Sequence, residues 1–195
     1  MLFLKLIIAF APWLAFLLIA HDSLFRLKLG LLTALVLSIA MGLARLHRGI
    51  ILWVGLAFFS CATLAVNVFN NMGAVKYMGI IASGTLAIST WLTLITKRPF
   101  TMEYAKEHTE PSLWNSPIFV RTNMLLTAAW GTTFTINALL AWGKMEHLFL
   151  TESAYEIISY TLMLGTAGFT TWYPGHIRQK TGTSVNSASK TGIAE

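Results

Sequence analysis

The sequence predicts an all-α protein, a polytopic bundle of about six transmembrane helices, and three observations support this fold class. Of the 195 residues, 55% are hydrophobic and only 11% are charged, and the mean hydropathy is +0.64. A soluble domain with so little charge could not cover its surface with polar groups. The apolar residues form runs of about 20, the length at which a helix crosses about 30 Å of hydrocarbon. Most charged residues and histidines lie between these runs.

Six apolar runs qualify as spans. The second is short, but Lys28 and Arg45 at its ends can extend their charged groups to the interface. The sixth contains Glu156 near its start, where a carboxylate can reach the interface. The first could instead be a cleaved signal peptide, although cleavage after Ala20 would place Leu18 where a small residue is needed. The predicted spans lie near residues 2–20, 29–44, 50–69, 77–96, 122–143 and 153–173.

The distribution of Lys and Arg predicts the orientation of this bundle, which covers residues 1–178. Ten of them lie on the side that holds both termini and the loop at residues 97–121, and four lie on the other side. Because cytoplasmic segments are enriched in Lys and Arg, the termini and this loop are predicted to be cytoplasmic. Pro174 is expected to end the last helix. The following segment is rich in Lys, Thr, Gly, Ser and Asn, so residues 179–195 are predicted to be disordered.

Composition also excludes several function classes. The net charge of +6 would suit nucleic-acid binding in a soluble chain, but here membrane topology explains the basic residues, and no nucleic-acid partner is predicted. The only cysteine, Cys61, excludes an intramolecular disulfide and a cysteine cluster for a metal. The only aspartate, Asp22, disfavours magnesium-dependent lipid chemistry. All five histidines lie at helix ends or in loops, unsuited to haem. We therefore predict that the chain is not an enzyme and binds no cofactor or metal.

The fifth run has polar and aromatic residues at steps of four, three, four and three, which places them on one face of a helix. These residues are Asn123, Thr127, Trp130, Phe134 and Asn137. Comparable stripes on the third, fourth and sixth runs are Ser60, Thr63, Asn67 and Asn70; Gly79, Ser83, Leu86, Thr90 and Thr93; and Thr161, Gly165, Gly168 and Trp172. In lipid, small residues allow close helix approach and amides hydrogen-bond between helices. The stripes are therefore interpreted first as packing seams.

The alternative interpretation is a polar cavity in a small-solute transporter or channel. The seam or cavity would be formed by Asn67, Asn123, Thr127, Trp130 and Asn137. An ion-coupled transporter usually needs a charged side chain on its path, however, and the only candidate is Glu156 near the start of its helix. An interfacial carboxylate is the preferred interpretation of that residue.

The loop at residues 97–121 is the one extended connection between spans. Residues 102–108 can form a short helix on the membrane surface, with Tyr104, Trp114 and Phe119 as aromatic anchors. Mixed charges and aromatic side chains in a long loop suit partner binding better than catalysis. The candidate partner-binding residues are Lys97, Arg98, Glu103, Tyr104, Glu107 and Trp114.

A family resemblance follows from the spacing of several residues in the second half of the chain. Pro111 and Trp114 form P-x2-W, and Asn123 to Asn137 form N-x6-W-x3-F-x2-N. The Arg45–Arg48 turn and the junction between Asn70 and Tyr77 precede them. Together these features resemble the intracellular septation protein A family of small bacterial inner-membrane proteins, over roughly residues 1–178.

The resemblance implies an integral protein of the bacterial inner membrane that is associated with septation and cell-envelope biogenesis. It would act through contacts with other membrane proteins or with itself, without a catalysed reaction. Composition and spacing agree only with the absence of cofactor and catalytic motifs. A further alternative is an accessory subunit of a larger membrane complex, bound through small residues on the fourth or sixth run.

Overall fold

The computed structural model describes residues 8, 10–20, 23–44, 49–107, 109–148 and 150–191, with side chains described as far as residue 177. Within these ranges the chain consists of helices and short connections and contains no strand, which confirms the predicted all-α class. The Arg45–Arg48 turn and the first residues of the first predicted span lie outside the described residues.

The helices follow one another along the described residues. They are α1 Ala11–Ile19, α2 Leu24–Leu43, α3 Ile50–Thr63 with a π-helical continuation Leu64–Val68, α4 Met72–Lys76, α5 Met78–Ile95, α6 Phe100–Lys106, a 3-10 turn Pro111–Leu113, α7 Pro117–Met145 and α8 Glu152–Thr191. Two of the long helices start at side-chain caps, because the hydroxyl of Ser23 accepts from the backbone of α2 and that of Ser116 accepts from the backbone of α7.

Four helices in the described residues are long and apolar enough to cross a membrane. They are Leu24–Leu43, Ile50–Val68, Met78–Ile95 and Pro117–Met145. They match the second to fifth predicted spans. Among the described residues of the first predicted span, the helix α1 has nine residues, and several other residues of that span lie outside the described ranges. Helix α8, although long, is less apolar because Thr, Ser, Gly and Tyr interrupt it. The structure therefore confirms a helical protein with membrane-length helices and does not confirm a count of six.

The last helix differs from the sequence prediction. Helix α8 contains Pro174 and continues to Thr191, whereas the composition predicted an end near Pro174 and a disordered segment at residues 179–195. A proline lacks the backbone N–H, so one hydrogen bond of the helix is missing at this position, and a helix can lose one such bond without ending. Residues 192–195 lie outside the described residues.

An aromatic core joins α1 to the bundle. Phe10, just before α1, stacks on Trp130 of α7 with 5.6 Å between ring centroids. Trp13 of α1 stacks on Phe58 of α3 at 5.0 Å and is tilted against Phe59 at 4.8 Å. Such ring pairs contribute about 0.5–1.5 kcal/mol each beyond the burial of their surface. Helix α1 is thereby held between α3 and α7.

The long helices pack in neighbouring pairs. Helix α5 lies along α7, α2 contacts α1 and α3, and α8 contacts α7. Helices α5 and α7 approach each other closely at Gly131, where a Cβ atom would lie 3.0 Å from the ring of Trp91. The missing side chain of this glycine leaves room for the Trp91 ring between the two helices.

Candidate functional site

The polar stripe predicted on the fifth run is buried in the structure. Asn123, Thr127, Trp130, Phe134 and Asn137 of α7 all lie inside the bundle. Helix α7 contacts α5, α6 and α8, so this stripe is the central contact surface of the fold.

A buried hydroxyl pair connects α6 to α7. The Thr101 hydroxyl donates to the carbonyl oxygen of Asn123 at 2.9 Å, and its oxygen lies 2.9 Å from the hydroxyl oxygen of Thr127. Because Thr101 has a single O–H, the Thr127 hydroxyl must be the donor in the second contact. The side-chain amide of Asn123 donates to the carbonyl oxygen of Phe119 at 2.9 Å. Sequence reasoning found Asn123 and Thr127 but not their partner Thr101, whose role depends on the docking of α6.

Two further polar pairs connect α7 to α8. The indole N–H of Trp130 donates to the hydroxyl of Thr170 at 3.0 Å, and the hydroxyls of Thr133 and Thr166 are 2.6 Å apart. Thr170 also donates to the Thr166 carbonyl, so its hydroxyl both donates and accepts. Thr166 and Thr170 are four residues apart and share a face of α8, a signal that was available in the sequence.

The stripe predicted on the sixth run faces away from the bundle. Thr161, Gly165, Gly168 and Trp172 are exposed, and a Cβ atom at Gly165 or Gly168 would have no neighbour within 4 Å. Helix α8 instead contacts α7 through the face that contains Thr166 and Thr170. The small residues of α8 are therefore left open on its outer surface.

Asn67 lies apart from the stripe on α7. Its side-chain amide donates to the backbone carbonyl of Lys28 at 3.2 Å, at the far end of α3. The ammonium of Lys28 donates to the side-chain oxygen of Asn70, whose φ of 48° is in the left-handed region. These contacts join α2 to the end of α3. No hydrogen bond of Asn67 to α7 occurs in the described residues.

Several buried polar atoms have no hydrogen-bond partner among the described residues. The side-chain oxygens of Asn137, Thr90, Thr63 and Asn67 and the indole nitrogen of Trp13 belong to this group. Leaving such an atom unsatisfied in a dry interior costs about 1–3 kcal/mol. Asn137 is the one member of the predicted α7 seam with an orphaned atom.

The predicted surface helix of the loop at residues 97–121 is docked against the bundle. In α6 the carboxylate of Glu103 accepts a hydrogen bond of 3.0 Å from the backbone N–H of Ile50, the first residue of α3. Tyr104 is 1% exposed, and burial, together with the charges of Glu103 and Glu107, raises the pKa of its phenol. The interpretation of Tyr104 as an interfacial anchor is therefore wrong, because its ring packs inside the protein against Phe100.

The other candidate residues of the loop lie at its surface. Lys97, Arg98 and Glu107 are exposed, and Trp114 is half-buried. The Trp114 indole donates to the carbonyl oxygen of Thr109 at 2.9 Å, while the ammonium of Lys106 lies 5.2 Å from the centre of its ring. The loop is thus an ordered surface with charges of both signs.

At the opposite end of the bundle, Glu156 forms an ion pair. The ammonium of Lys144, near the end of α7, is 2.7 Å from a carboxylate oxygen of Glu156 and 3.7 Å from one of Glu152. This position near the start of α8 agrees with an interfacial carboxylate. No group of three His, Cys, Asp or Glu side chains suited to a metal ion occurs among the described residues.

Comparisons with known proteins assign no family to this arrangement. No family model, no curated protein and no solved structure matches the chain.

Proposed function

We propose that this chain is a multi-pass protein of the bacterial inner membrane that acts without catalysis, through contacts with other membrane proteins in septation or envelope biogenesis. We further propose that the chain has about six spans and that both termini and the loop 97–121 lie in the cytoplasm. Four membrane-length helices and the uneven distribution of Lys and Arg support the location. The resemblance to the septation protein A family supports the role.

The observation that carries the proposal is the outer face of α8. Gly165 and Gly168 lie on an exposed helix face with open space around them. In lipid, such residues allow a second helix to approach closely, and van der Waals packing between the two helices is a main source of their association. The bundle itself does not use this face, because Thr166 and Thr170 make the internal contact. A helix of a partner protein, or of a second copy, fits it.

The exposed part of the cytoplasmic loop offers a second contact surface. Lys97, Arg98, Glu107 and Trp114 are presented there on a backbone ordered by α6 and the 3-10 turn. An ordered surface loses less conformational entropy on binding than a flexible loop does. Glu103 and Tyr104 contribute to this surface only by holding α6 in place.

Affinity purification of the tagged protein from its native membrane in mild detergent tests the proposal. We expect a stoichiometric envelope or division protein with the wild type and its loss with Gly165→Leu/Gly168→Leu. Gly84→Leu is the matched control, because a Cβ atom at Gly84 also has no neighbour within 4 Å. Capture that persists in the double variant would reject the α8 face as the contact. A wild-type protein that purifies alone would reject the scaffold role, and capture of a whole larger complex would indicate an accessory subunit.

Charge reversal tests the loop in the same purification. Lys97→Glu, Arg98→Glu and Glu107→Lys are expected to weaken the capture without changing membrane insertion. Unchanged capture would exclude the loop as a contact.

A second candidate function is a small-solute transporter or channel, favoured by the orphaned oxygen of Asn137. A buried amide oxygen with no partner in the described residues can accept a hydrogen bond from a solute or from water. A screen of thermal stability and uptake with small polar solutes would compare the wild type with Asn137→Leu and Asn123→Leu. A solute that stabilises the wild type alone would support transport. No response to any solute would count against it.

A further inference from the structure

Helices α5 and α7 pack side by side, and the groove that runs between two packed helices reaches the surface where Trp91 meets Thr135. The indole N–H of Trp91 donates to the hydroxyl of Thr135 at 3.1 Å, and this pair lies at the surface. On α7 the exposed Arg121 is fourteen positions before Thr135, nearly four turns, so it lies close to the same face, and the exposed Leu125 is about one turn after Arg121. On α5 the exposed Ile95 is one turn beyond Trp91. The groove therefore continues along both helices toward the loop 97–121.

Three basic residues surround the loop end of this groove. Helices α5 and α7 are in contact at Thr90 and Gly131. Arg121 is ten residues from Gly131 along α7, which is about 15 Å at the rise of an α-helix. Arg98 is eight residues from Thr90, along α5 and the turn that follows it, which is at most about 12 Å at the same rise. Lys97 precedes Arg98. The three positive charges are thus placed at nearly one depth.

The turn after α5 holds Lys97 and Arg98 close to the helix. The backbone N–H of Arg98 donates to the carbonyl of Thr93 at 2.9 Å, and that of Lys97 donates to the carbonyl of Leu94 at 3.0 Å. This is the Schellman pattern, whose left-handed residue is usually glycine. Here that residue is Lys97, with φ of 56°. A charged side chain is therefore present at a position where the backbone favours glycine.

These three charges have no protein counter-ion in the described residues. No carboxylate there lies within 4 Å of Lys97, Arg98 or Arg121, and all three side chains are exposed. At the other end of the bundle Lys144 is paired with Glu156 and Glu152, whereas the exposed Arg26 and Lys76 also have no carboxylate within 4 Å among the described residues. The loop end is therefore distinguished by the position of its three charges beside the contact of α5 with α7, where exposed apolar side chains also lie.

We propose that Lys97, Arg98 and Arg121 bind the headgroup of an anionic phospholipid whose acyl chain lies in the groove between α5 and α7. Basic side chains attract anionic headgroups at the membrane surface, and exposed Ile95 and Leu125 provide apolar contact for the chain. The inference goes beyond partner binding and requires only that these helices lie in a membrane. The lipid site shares Lys97 and Arg98 with the proposed partner surface, whereas Arg121 belongs only to the lipid site.

Lipid binding to the purified, delipidated full-length protein tests the inference. Native mass spectrometry would count bound dioleoyl phosphatidylglycerol and bound dioleoyl phosphatidylcholine at equal concentrations. We expect the wild type to prefer phosphatidylglycerol and the preference to fall about fivefold for each basic residue removed, in Arg121→Gln and in Arg98→Gln/Arg121→Gln. Arg26→Gln is the control, since Arg26 is exposed at the other end of the bundle. An unchanged preference in the double variant would overturn the inference.

Two substitutions to glycine distinguish an effect on lipid binding from an effect on folding. Lys97→Gly and His147→Gly each place glycine at a left-handed position, because φ is 56° at Lys97 and 51° at His147. We expect both variants to fold at least as well as the wild type and only Lys97→Gly to lose lipid preference. Equal preference in the two variants would contradict the role of Lys97.

Two further measurements identify the source of the effect. Glycerol phosphate is expected not to displace the lipid, since it lacks the chain that fills the groove; full displacement would indicate a site for a soluble anion and reject the lipid. Partner capture by Arg121→Gln is expected to stay intact. If the wild type captures a partner protein but shows no preference for phosphatidylglycerol, this inference alone is refuted. If the wild type prefers phosphatidylglycerol but captures no partner protein, only the proposed function is refuted.

Discussion

The carboxylate of Glu103 in α6 accepts a hydrogen bond of 3.0 Å from the backbone N–H of Ile50, although the two residues are 53 positions apart. Ile50 begins α3, whose first turn contains no acidic residue and whose N-cap, Gly49, has no side chain to cap it. Glu103 therefore supplies both an acceptor and a negative charge to the positive end of that helix. The same contact docks the loop at residues 97–121 on the bundle.

Removing this contact is expected to lower the free energy of unfolding. Glu103→Ala should cost about 1 kcal/mol, as the loss of a helix cap does. Glu103→Gln keeps an acceptor oxygen and loses only the charge, so it should cost less. Denaturant titration of the detergent-solubilised protein, followed by circular dichroism, measures both. Glu110→Ala is the matched control, since Glu110 is exposed and, among the described residues, its carboxylate hydrogen-bonds only to Ser112 of its own turn. Equal losses at both positions would show that Glu103 does not act as a cap.

The hydroxyl pair between α6 and α7 should respond unequally to mutation. Thr101→Val removes two hydrogen bonds: the Asn123 carbonyl keeps only its bond within the helix, and the Thr127 hydroxyl is left without its acceptor. Thr127→Val removes only a donor to Thr101, which keeps its bond to Asn123. Each buried group left without a partner costs about 1–3 kcal/mol, so Thr101→Val should be the more damaging change. Denaturant titration of both variants compares them. Equal losses would mean that the Thr127 hydroxyl has another partner.

The sequence predicted the buried face of α7 because its polar and aromatic residues share one helical stripe. It did not predict the buried face of α8, where two stripes of small and hydroxyl residues compete: one holds Gly165 and Gly168, and the other holds Thr166 and Thr170. In lipid the outside of a bundle is as apolar as its inside, so hydrophobicity does not distinguish two such faces. Only the partners on α7 decide between them.

The loop shows a different limit of sequence reasoning. Its charges and aromatic residues correctly indicated a short helix, which is α6. Whether that helix lies on the membrane or on the protein depends on the contact of Glu103 with Ile50 and on the space that receives Tyr104. Both are long-range properties of the fold. The same holds for Asn67, which shares a helical stripe with Thr63 in sequence but hydrogen-bonds to α2.

Close packing of α5 on α7 makes Gly131 sensitive to a single methyl group. In Gly131→Ala the new Cβ atom would lie 3.0 Å from the Trp91 ring and 3.3 Å from Thr90, so these side chains or the helix that carries them must shift by a few tenths of an ångström. We expect a loss of about 1–3 kcal/mol, typical of overpacking in a core. Gly84→Ala is the control, because its Cβ atom would meet nothing within 4 Å, and alanine favours a helix by up to about 1 kcal/mol. Thermal unfolding of both variants tests this contrast. A Gly131→Ala variant as stable as Gly84→Ala would contradict the helix contact.

The ion pair between Lys144 and Glu156 should stabilise the connection of α7 to α8 only modestly. The nitrogen–oxygen distance is 2.7 Å, but the two side chains are 36% and 34% exposed, so water screens their attraction. A double-mutant cycle with Lys144→Gln and Glu156→Gln is expected to give a coupling energy of no more than about 1 kcal/mol. The parallel cycle with Glu152→Gln should give less, because Glu152 lies at 3.7 Å and is 68% exposed. Raising the ionic strength should reduce the coupling further, since salt screens exposed charges. A coupling independent of salt, or one larger for Glu152 than for Glu156, would contradict this description of the pair.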